Sequence, residues 1–164
     1  HDISPQVIEW HLIEYLQTNK VKSIVPLVHT IHSIDSLKLL QEINQQAAKV
    51  GRIIHCLLQF HIAQEESKFG LEMSEAQTLL ESSEYAAFHH VHLCGVMGMA
   101  SLTDNNEQIR KEFRQLHAIF ENLKTRYFPN DPTFRELSMG MSSDWEIALQ
   151  EGSTMVRIGS LLFP

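Results

Sequence analysis

The chain has 164 residues, of which 43% are hydrophobic and 20% charged, and its 20 acidic and 13 basic side chains give a formal net charge of −7. This length and composition predict one globular domain over residues 1–164, and they exclude a disordered chain, a collagen-like array and a small disulfide scaffold. The acidic balance argues against nucleic acid as a partner, because nucleic-acid-binding domains usually carry a basic face.

Six short apolar runs alternate with amphipathic segments along the chain. The runs cover residues 10–13, 28–31, 53–62, 91–97, 135–138 and 154–158. Several runs are apolar at every position, as strands buried on both faces of a parallel sheet are. Strands that alternate with helices indicate βαβ units, so the sequence predicts an α/β fold with six β/α units and no internal linker.

Helix signals lie between the runs. Ser36 precedes one helical pattern, and Ser74 with Gln77 makes a capping-box pattern before another. The strongest helix follows Asp104. Its apolar residues recur at spacings of four and three, at Ile109, Phe113, Leu116, Phe120 and Leu123. A last short helix is predicted from the Ser143-x-x-Glu146 pattern.

Neither a membrane span nor a signal peptide is predicted. No stretch approaches the roughly 18 uninterrupted apolar residues that a membrane-spanning helix needs, and no basic region precedes an apolar block. Cys56 and Cys94 both lie in apolar runs, which favours buried thiols in a reducing compartment. We therefore predict a cytoplasmic protein without a membrane partner.

The chemistry of a parallel α/β sheet collects at the carboxyl ends of its strands. The fifth run ends in Ser-x-Gly-x-Ser, with Ser138, Met139 and Ser142, and the sixth ends at Arg157 followed by Gly159-Ser160. Small side chains, backbone N–H groups and a following helix suit a phosphate. Two such cradles on consecutive last strands match the usual phosphate position of a (β/α)₈ barrel. Ordinary Gly/Ser-rich turns remain the alternative.

Several motifs together resemble one known family. They are W-H-L-I at 10–13, L-Q-T-N-K-V-K at 16–22, I-H-S-I-D-S at 31–36, E-S-K-F-G at 66–70, L-S-M-G-M-S at 137–142 and G-S-T-M-V-R-I-G at 152–159. These motifs run from end to end of the chain and are similar to those of the pyridoxal phosphate homeostasis proteins. The resemblance implies a (β/α)₈ TIM-type barrel like the alanine racemase N-terminal domain. It also implies binding of pyridoxal 5′-phosphate (PLP) and a role in cofactor supply, with no firmly established reaction.

The resemblance also implies roles for individual residues. Ser138, Met139 and Ser142 would lie near the phosphate, Gly159 and Ser160 would complete the phosphate cup, and Arg157 would face the pyridine nitrogen. Arginine is too basic to give up a proton there, so weak or absent racemase chemistry is expected. A binding protein, a monomer or weak homodimer, is therefore the first hypothesis.

The chain departs from the family where the cofactor would be attached. The family's Schiff-base lysine ends its first strand and a G-E-N motif follows its second, and this sequence contains neither. The six runs therefore correspond to the last six units of the barrel. The remaining lysines Lys20, Lys22 and Lys68 fall in predicted loops or helix starts. We expect PLP to be held non-covalently at best, with impaired affinity.

Other departures lie at the strand ends. Glu14-Tyr15 follows the first run where the family has glycine, and His61 replaces an asparagine. Bulk and negative charge at Glu14 oppose a dianionic cofactor, as in a pocket rebuilt by divergence or by engineering. A second hypothesis is therefore an acid–base pair of Glu14 and His61, of hydrolase or aldolase type, because alternate barrel strands feed one side-chain layer. Cys94 is a candidate nucleophile or an inert core thiol.

The remaining histidines do not predict a metal site, although His90 and His92, and likewise His55 and His61, share a face and leave paired ligation open. The chain has ten histidines, but no His-Glu-x-x-His and no Cys-x-x-Cys motif. His29 and His32 are three residues apart, which on a strand predicts opposite faces. A partner-binding scaffold without enzymatic activity is the third hypothesis.

Overall fold

A computed structural model of the chain describes residues 8–66 and 69–163. Within them, six parallel strands form one sheet in the order β1-β2-β3-β4-β5-β6. The strands are β1 (His11–Leu12), β2 (Thr30–Ile34), β3 (Ile54–Gln59), β4 (Val91–Met97), β5 (Glu136–Met141) and β6 (Met155–Arg157). The predicted α/β class and parallel sheet are confirmed. Strand β2 extends further than predicted, because the buried His32 and Ser33 continue it beyond its apolar residues.

Helices connect the strands, as parallel pairing requires. They are α1 (Val21–Ile24), α2 (Leu37–Lys49), α3 (Met73–Leu80), α4 (Ser83–Ala86), α5 (Asn106–Tyr127) and α6 (Trp145–Gln150), with a 3₁₀ turn at Thr18–Lys20. In the part of the chain that the structure describes, none of these helices is long and apolar enough to cross a membrane.

The helix starts test the predicted caps. The Ser36 hydroxyl accepts a hydrogen bond from the Leu39 N–H, which confirms the start of α2. The start predicted at Ser74 is wrong: α3 is capped by Glu72, because Glu72 and Glu75 form a reciprocal capping box that satisfies two free N–H groups.

The start of α6 also differs from its predicted cap. Asp144, not Ser143, precedes the helix, and the Asp144 carboxylate accepts a hydrogen bond from the Met141 N–H at 2.7 Å.

The sheet is curled. His32 in β2 and Ser138 in β5 form a hydrogen bond of 3.0 Å, although two strands lie between them in the sheet. In a flat sheet, strands three places apart are separated by about 14 Å, three times the ~4.8 Å spacing of neighbours. The contact therefore requires strong curvature, with these two side chains on the concave face.

The two faces of the sheet differ in what covers them. The convex face and the helices bury a large apolar core that contains Ile31, Leu58, Val96 and Phe113. The concave face carries a smaller cluster of Leu57, Cys94 and Met97. It also carries the buried polar residues His32, Ser138 and Arg157, so the site is best sought there.

Candidate functional site

A cavity of about 490 Å³ opens at the carboxyl end of the sheet. Its lining comes from the last residues of β3, β5 and β6 and from the connections that follow β1, β3, β4 and β6. The lining residues are Ile13, Glu14, Tyr15, Gln59, Phe69, Met99, Met141, Arg157, Ile158 and Gly159. This edge is where open parallel α/β sheets bind ligands, and the volume suits a small molecule.

Arg157 supplies a buried positive charge at this cavity. One guanidinium nitrogen, Nη1, donates to the Ser138 hydroxyl at 2.7 Å, and Nη2 donates to the Gly98 carbonyl at 3.1 Å. Its Nε is buried and has no hydrogen-bond partner among the described residues. Burial lowers the pKa of Arg157 to about 10, against an opposing effect of Asp144, so the group stays protonated at neutral pH. The cavity is therefore lined by a cation that two hydrogen bonds hold in place, and its buried Nε–H has no partner among the described residues.

Ser138 joins Arg157 to two histidines on the concave face. Its hydroxyl lies 3.0 Å from Nδ1 of His32, and Nε2 of His32 lies 2.9 Å from Nδ1 of His11. Burial, followed by the nearby His11 and Arg157, lowers the pKa of His32 to about 3, so the ring is neutral. In a neutral imidazole either nitrogen can carry the proton, so the hydrogen bonds from Ser138 through His32 to His11 can run in either direction.

The rim of the cavity brings together the ends of β5 and β6. The Gly159 N–H donates to the Ser142 hydroxyl at 3.1 Å, and Ser142 is half-buried while Gly159 and Ser160 are exposed. The Ser142 oxygen is an acceptor in this contact, and a hydroxyl that accepts can also donate its hydrogen to a ligand. The Met141 N–H is already bonded to Asp144, so the rim offers fewer backbone donors than its sequence suggested.

Two of the predicted phosphate contacts lie elsewhere. Ser138 is fully buried at the floor, between Arg157 and His32, rather than at the rim. Met139 points to the opposite face, because successive strand residues alternate, and its side chain is fully buried in the core against the helices. A cofactor contact is therefore not available to the Met139 side chain. The phosphate roles of Ser142, Gly159 and Ser160 remain predictions.

The structure does not bring Glu14 and His61 together. Glu14 is exposed and lines the carboxyl-end cavity, whereas His61 lines a separate cavity with Glu72. Nε2 of His61 is 2.9 Å from the Glu65 carbonyl, and Nδ1 is 3.9 Å from Glu72 Oε1. The acid–base pair predicted from strand alternation is wrong as a pair, because β3 ends at Gln59 and the alternation does not reach residue 61.

Gln59 and the pairing of Tyr15 with Phe69 are features of the cavity that the sequence did not predict. Gln59 lies two residues beyond the concave-face Leu57, so the period of two could have found it. The rings of Tyr15 and Phe69 stack with centroids 4.8 Å apart at the cavity, and both are more than half exposed. No local sequence signal indicated this pairing, since the two residues belong to different connections.

Among the described residues, neither a lysine nor a cysteine supplies a nucleophile at this cavity. No lysine lines the cavity within residues 8–66 and 69–163, and Lys68 lies outside the described residues. Burial raises the pKa of the Cys94 thiol to about 12, and that of Cys56 also rises for the same reason. A thiol with such a pKa is almost wholly protonated at neutral pH and is a poor nucleophile, which favours the inert-thiol alternative for Cys94.

Comparison with known proteins shows the family to which the chain belongs. The alanine racemase N-terminal domain family matches residues 6–164. The chain is 38% identical over 156 residues to the pyridoxal phosphate homeostasis protein of Aquifex aeolicus, covering 95% of this chain and 66% of that protein. It is 35% identical over 164 residues to the Helicobacter pylori strain 26695 protein of the same name, covering 99% and 70%. The chain belongs to the pyridoxal phosphate homeostasis protein family.

A solved structure extends this family assignment to the fold. PipY of Synechococcus elongatus PCC7942, solved without PLP, is 31% identical with a TM-score of 0.86, covering 96% of this chain and 71% of that one. PipY solved with PLP bound is 29% identical with a TM-score of 0.83, covering 98% and 72%. The resemblance found in the sequence is confirmed. The chain spans about two thirds of the length of the curated relatives that it matches.

Proposed function

We propose that the carboxyl-end cavity holds PLP non-covalently and that the chain serves PLP homeostasis in the cytoplasm, as a binding protein. The observation that carries this proposal is the buried, protonated Arg157 at a small-molecule cavity of a chain similar to PLP-bound PipY.

The residues of the cavity fit the parts of this cofactor. Tyr15, Met99 and Ile158 supply apolar surface for a flat ring, while Arg157 supplies a charged donor for an acceptor atom. The Ser142 hydroxyl, with the adjoining Gly159 and Ser160, forms a small polar rim for a phosphate.

The chemistry at Arg157 favours holding the cofactor over catalysis. When bound, PLP supplies an electron sink for amino-acid reactions. Arg157 retains its proton at neutral pH and donates a hydrogen bond instead of transferring the proton. Ser138 and Gly98 hold the guanidinium in one orientation. The exposed Glu14 carboxylate at the same cavity would repel a dianion, which supports weakened binding.

We also infer that the six units are the last six of a (β/α)₈ TIM-type barrel, in a protein that is a monomer or weak homodimer without nucleic-acid or membrane partners. The curled sheet, whose edge strands β1 and β6 each pair with one described strand, supports the barrel. An intact mass from source cells that exceeds the mass of this sequence would agree with two further units. Light scattering after size exclusion tests the oligomeric state.

A PLP titration tests the main proposal. We expect a saturable change in PLP absorbance and one equivalent retained on dialysis. The Ser142→Ala variant should bind about tenfold more weakly, which corresponds to one lost hydrogen bond to a charged group. Ser143→Ala is the matched control, because Ser143 is the exposed neighbouring serine and should bind as the wild type does.

Two results would overturn the proposal. One is the absence of saturable binding at millimolar PLP, and the other is equal affinity of the Ser142 and Ser143 variants. Borohydride reduction followed by mass spectrometry separates the two modes of attachment, because only an imine to lysine becomes a stable adduct. A stoichiometric adduct that depends on Ser142 would contradict non-covalent binding.

A further inference from the structure

A second cavity, of about 290 Å³, opens at the amino end of the sheet, opposite the proposed PLP site. Its lining includes Glu9, His11, His29 and His55. Glu9 precedes β1, His11 begins it, and His29 directly precedes β2. The parallel pairing of these strands aligns His11 with Thr30, which brings the three side chains together.

The ligand atoms of Glu9, His11 and His29 all lie within 4.8 Å of one another. Nε2 of His29 is 3.7 Å from Glu9 Oε1. Ligand atoms about 2.1 Å from one zinc ion lie up to about 4.2 Å apart, so small side-chain rotations complete the site. Two imidazoles with one carboxylate form a donor set that zinc takes in proteins.

The two histidines are already oriented by their other ring nitrogens. Nδ1 of His11 is 2.9 Å from Nε2 of His32, and Nδ1 of His29 is 2.8 Å from the Thr30 hydroxyl. In both rings this leaves Nε2 as the nitrogen for a metal. A hydrogen bond at the second nitrogen is the usual means by which proteins fix the tautomer of a metal-binding histidine.

Ring stacking holds His29 in place between two neighbours. Its ring lies 4.4 Å from that of His55 and 6.1 Å from that of His11, with interplanar angles of 12° and 14°. Nδ1 of His55 is buried and has no hydrogen-bond partner among the described residues. The cavity therefore contains one more imidazole whose polar atom is unsatisfied.

The charges at this end of the sheet favour a cation. Glu136 lines the same cavity as Glu9, and both carboxylates act on His11. Arg135, which also lines the cavity, donates through Nε to Glu136 Oε1 at 3.2 Å and is at an exposed position. One carboxylate thus pairs with the nearby arginine, and Glu9 remains for a metal.

We propose that Glu9, His11 and His29 bind one zinc ion, with a fourth coordination position open to the amino-end cavity. The sequence pattern does not indicate this site, because a strand that contained both His29 and His32 would place them on opposite faces. That prediction is wrong: β2 begins only at Thr30, and the rings of both histidines lie beside that of His11.

Zinc at this site would set the direction of the buried hydrogen-bond chain. A metal on Nε2 of His11 requires that Nδ1 carries the proton and donates to His32. His32 must then carry its proton on Nδ1 and donate to the Ser138 hydroxyl. Long-range ¹H–¹⁵N spectra report these tautomers, which zinc bound to surface histidines would not select.

The test is a Zn²⁺ titration of chelator-treated protein, followed by calorimetry and by metal analysis after dialysis. We expect one equivalent per chain. His29→Gln and Glu9→Gln should each weaken binding by at least about tenfold. His89→Gln is the matched control, because His89 is an exposed histidine outside the cluster and should leave the affinity unchanged. Glu9 is exposed, so its variant keeps the test valid if His29→Gln does not fold.

Substitution of Thr30 tests whether its hydroxyl orients the His29 ring for the metal. Thr30→Val removes the hydroxyl beside Nδ1 of His29 at nearly constant volume and should weaken Zn²⁺ binding about tenfold, and Thr30→Ser should restore it. Absence of stoichiometric Zn²⁺, or equal affinities of the Glu9, His29 and His89 variants, would overturn the proposal. Binding that all three variants retain is adventitious binding to surface histidines.

Discussion

Arg157 and Ser138 form a 2.7 Å hydrogen bond inside the curled sheet, and this contact fixes the only guanidinium lining the carboxyl-end cavity within residues 8–66 and 69–163. The partners of Ser138 come from β2 and β6, at opposite sides of the sheet. The Ser138 hydroxyl therefore contacts His32 only because the sheet is curled, and the same hydroxyl orients the Arg157 guanidinium in the proposed PLP site.

Ser138→Ala should weaken both the fold and the proposed PLP binding. It leaves Nη1 of Arg157 and Nδ1 of His32 without their partner, which costs about 1–3 kcal/mol in free energy of unfolding. Ser33→Ala is the matched control, because the Ser33 hydroxyl is buried on β2 with no hydrogen-bond partner among the described residues. Urea unfolding and PLP titration measure the two effects. Equal stability of the two variants would contradict the bridging role of Ser138.

Phe134→Ala should destabilise the protein by about 3–5 kcal/mol, the range for truncation of a fully buried aromatic ring. Phe134 stacks between Phe120 and Phe128, at centroid distances of 5.5 and 4.2 Å, and so anchors the end of α5 beneath β5. Phe163→Ala, at a position that is 80% exposed, should change the stability by less than about 0.5 kcal/mol. Similar urea midpoints for both variants would show that the core lies elsewhere.

The strands and the long helix could be predicted from the sequence, because their signals are local. The apolar runs located all six strands, and the regular spacing of Ile109, Phe113 and Leu116 located α5. The site was predicted only in part. Arg157 and the Ser142–Gly159 rim follow from strand ends, which are also local features.

The remaining features depend on the curvature of the sheet and on the residue at which each strand ends, where side chains stop alternating between its two faces. No local sequence pattern shows either. His32 contacts Ser138 only because β2 and β5 curl toward each other across the concave face. The error at His61 arose because β3 ends at Gln59, so the assumed inward position falls after the strand. The error at His29 has the same cause at the other end of a strand.

Glu151 should make the stability of the protein depend on pH. Its carboxylate accepts hydrogen bonds from Arg110 at 2.6 Å and Arg114 at 2.9 Å, and the bond from Arg110 is the main cause of its lowered pKa. Because the folded state binds the proton more weakly than the unfolded state, this stabilisation is present above the unfolded pKa and is lost as the pH falls through the lower folded pKa.

Glu151→Gln should therefore lower the free energy of unfolding by about 1 kcal/mol at neutral pH and progressively less under acidic conditions. Urea unfolding at a series of pH values measures the difference. Glu146→Gln, at an exposed residue of helix α6, whose C-cap is Glu151, provides the comparison and should show little effect at any pH. A deficit for Glu151→Gln that persists undiminished in acid would point to lost packing instead of lost charge.

Glu14→Gln should strengthen PLP binding, although it removes a residue of the cavity lining. Glu14 is exposed at the cavity, where its charge repels a dianionic phosphate, and removing about 1 kcal/mol of repulsion raises the affinity about fivefold. The gain should shrink as salt is added, because screening weakens the same repulsion in the wild type. Glu72→Gln, a change of equal charge at an exposed residue of the separate His61 cavity, should leave the affinity unchanged. Weaker PLP binding by Glu14→Gln would mean that the carboxylate contacts the ligand favourably, and the account of impaired binding would have to be abandoned.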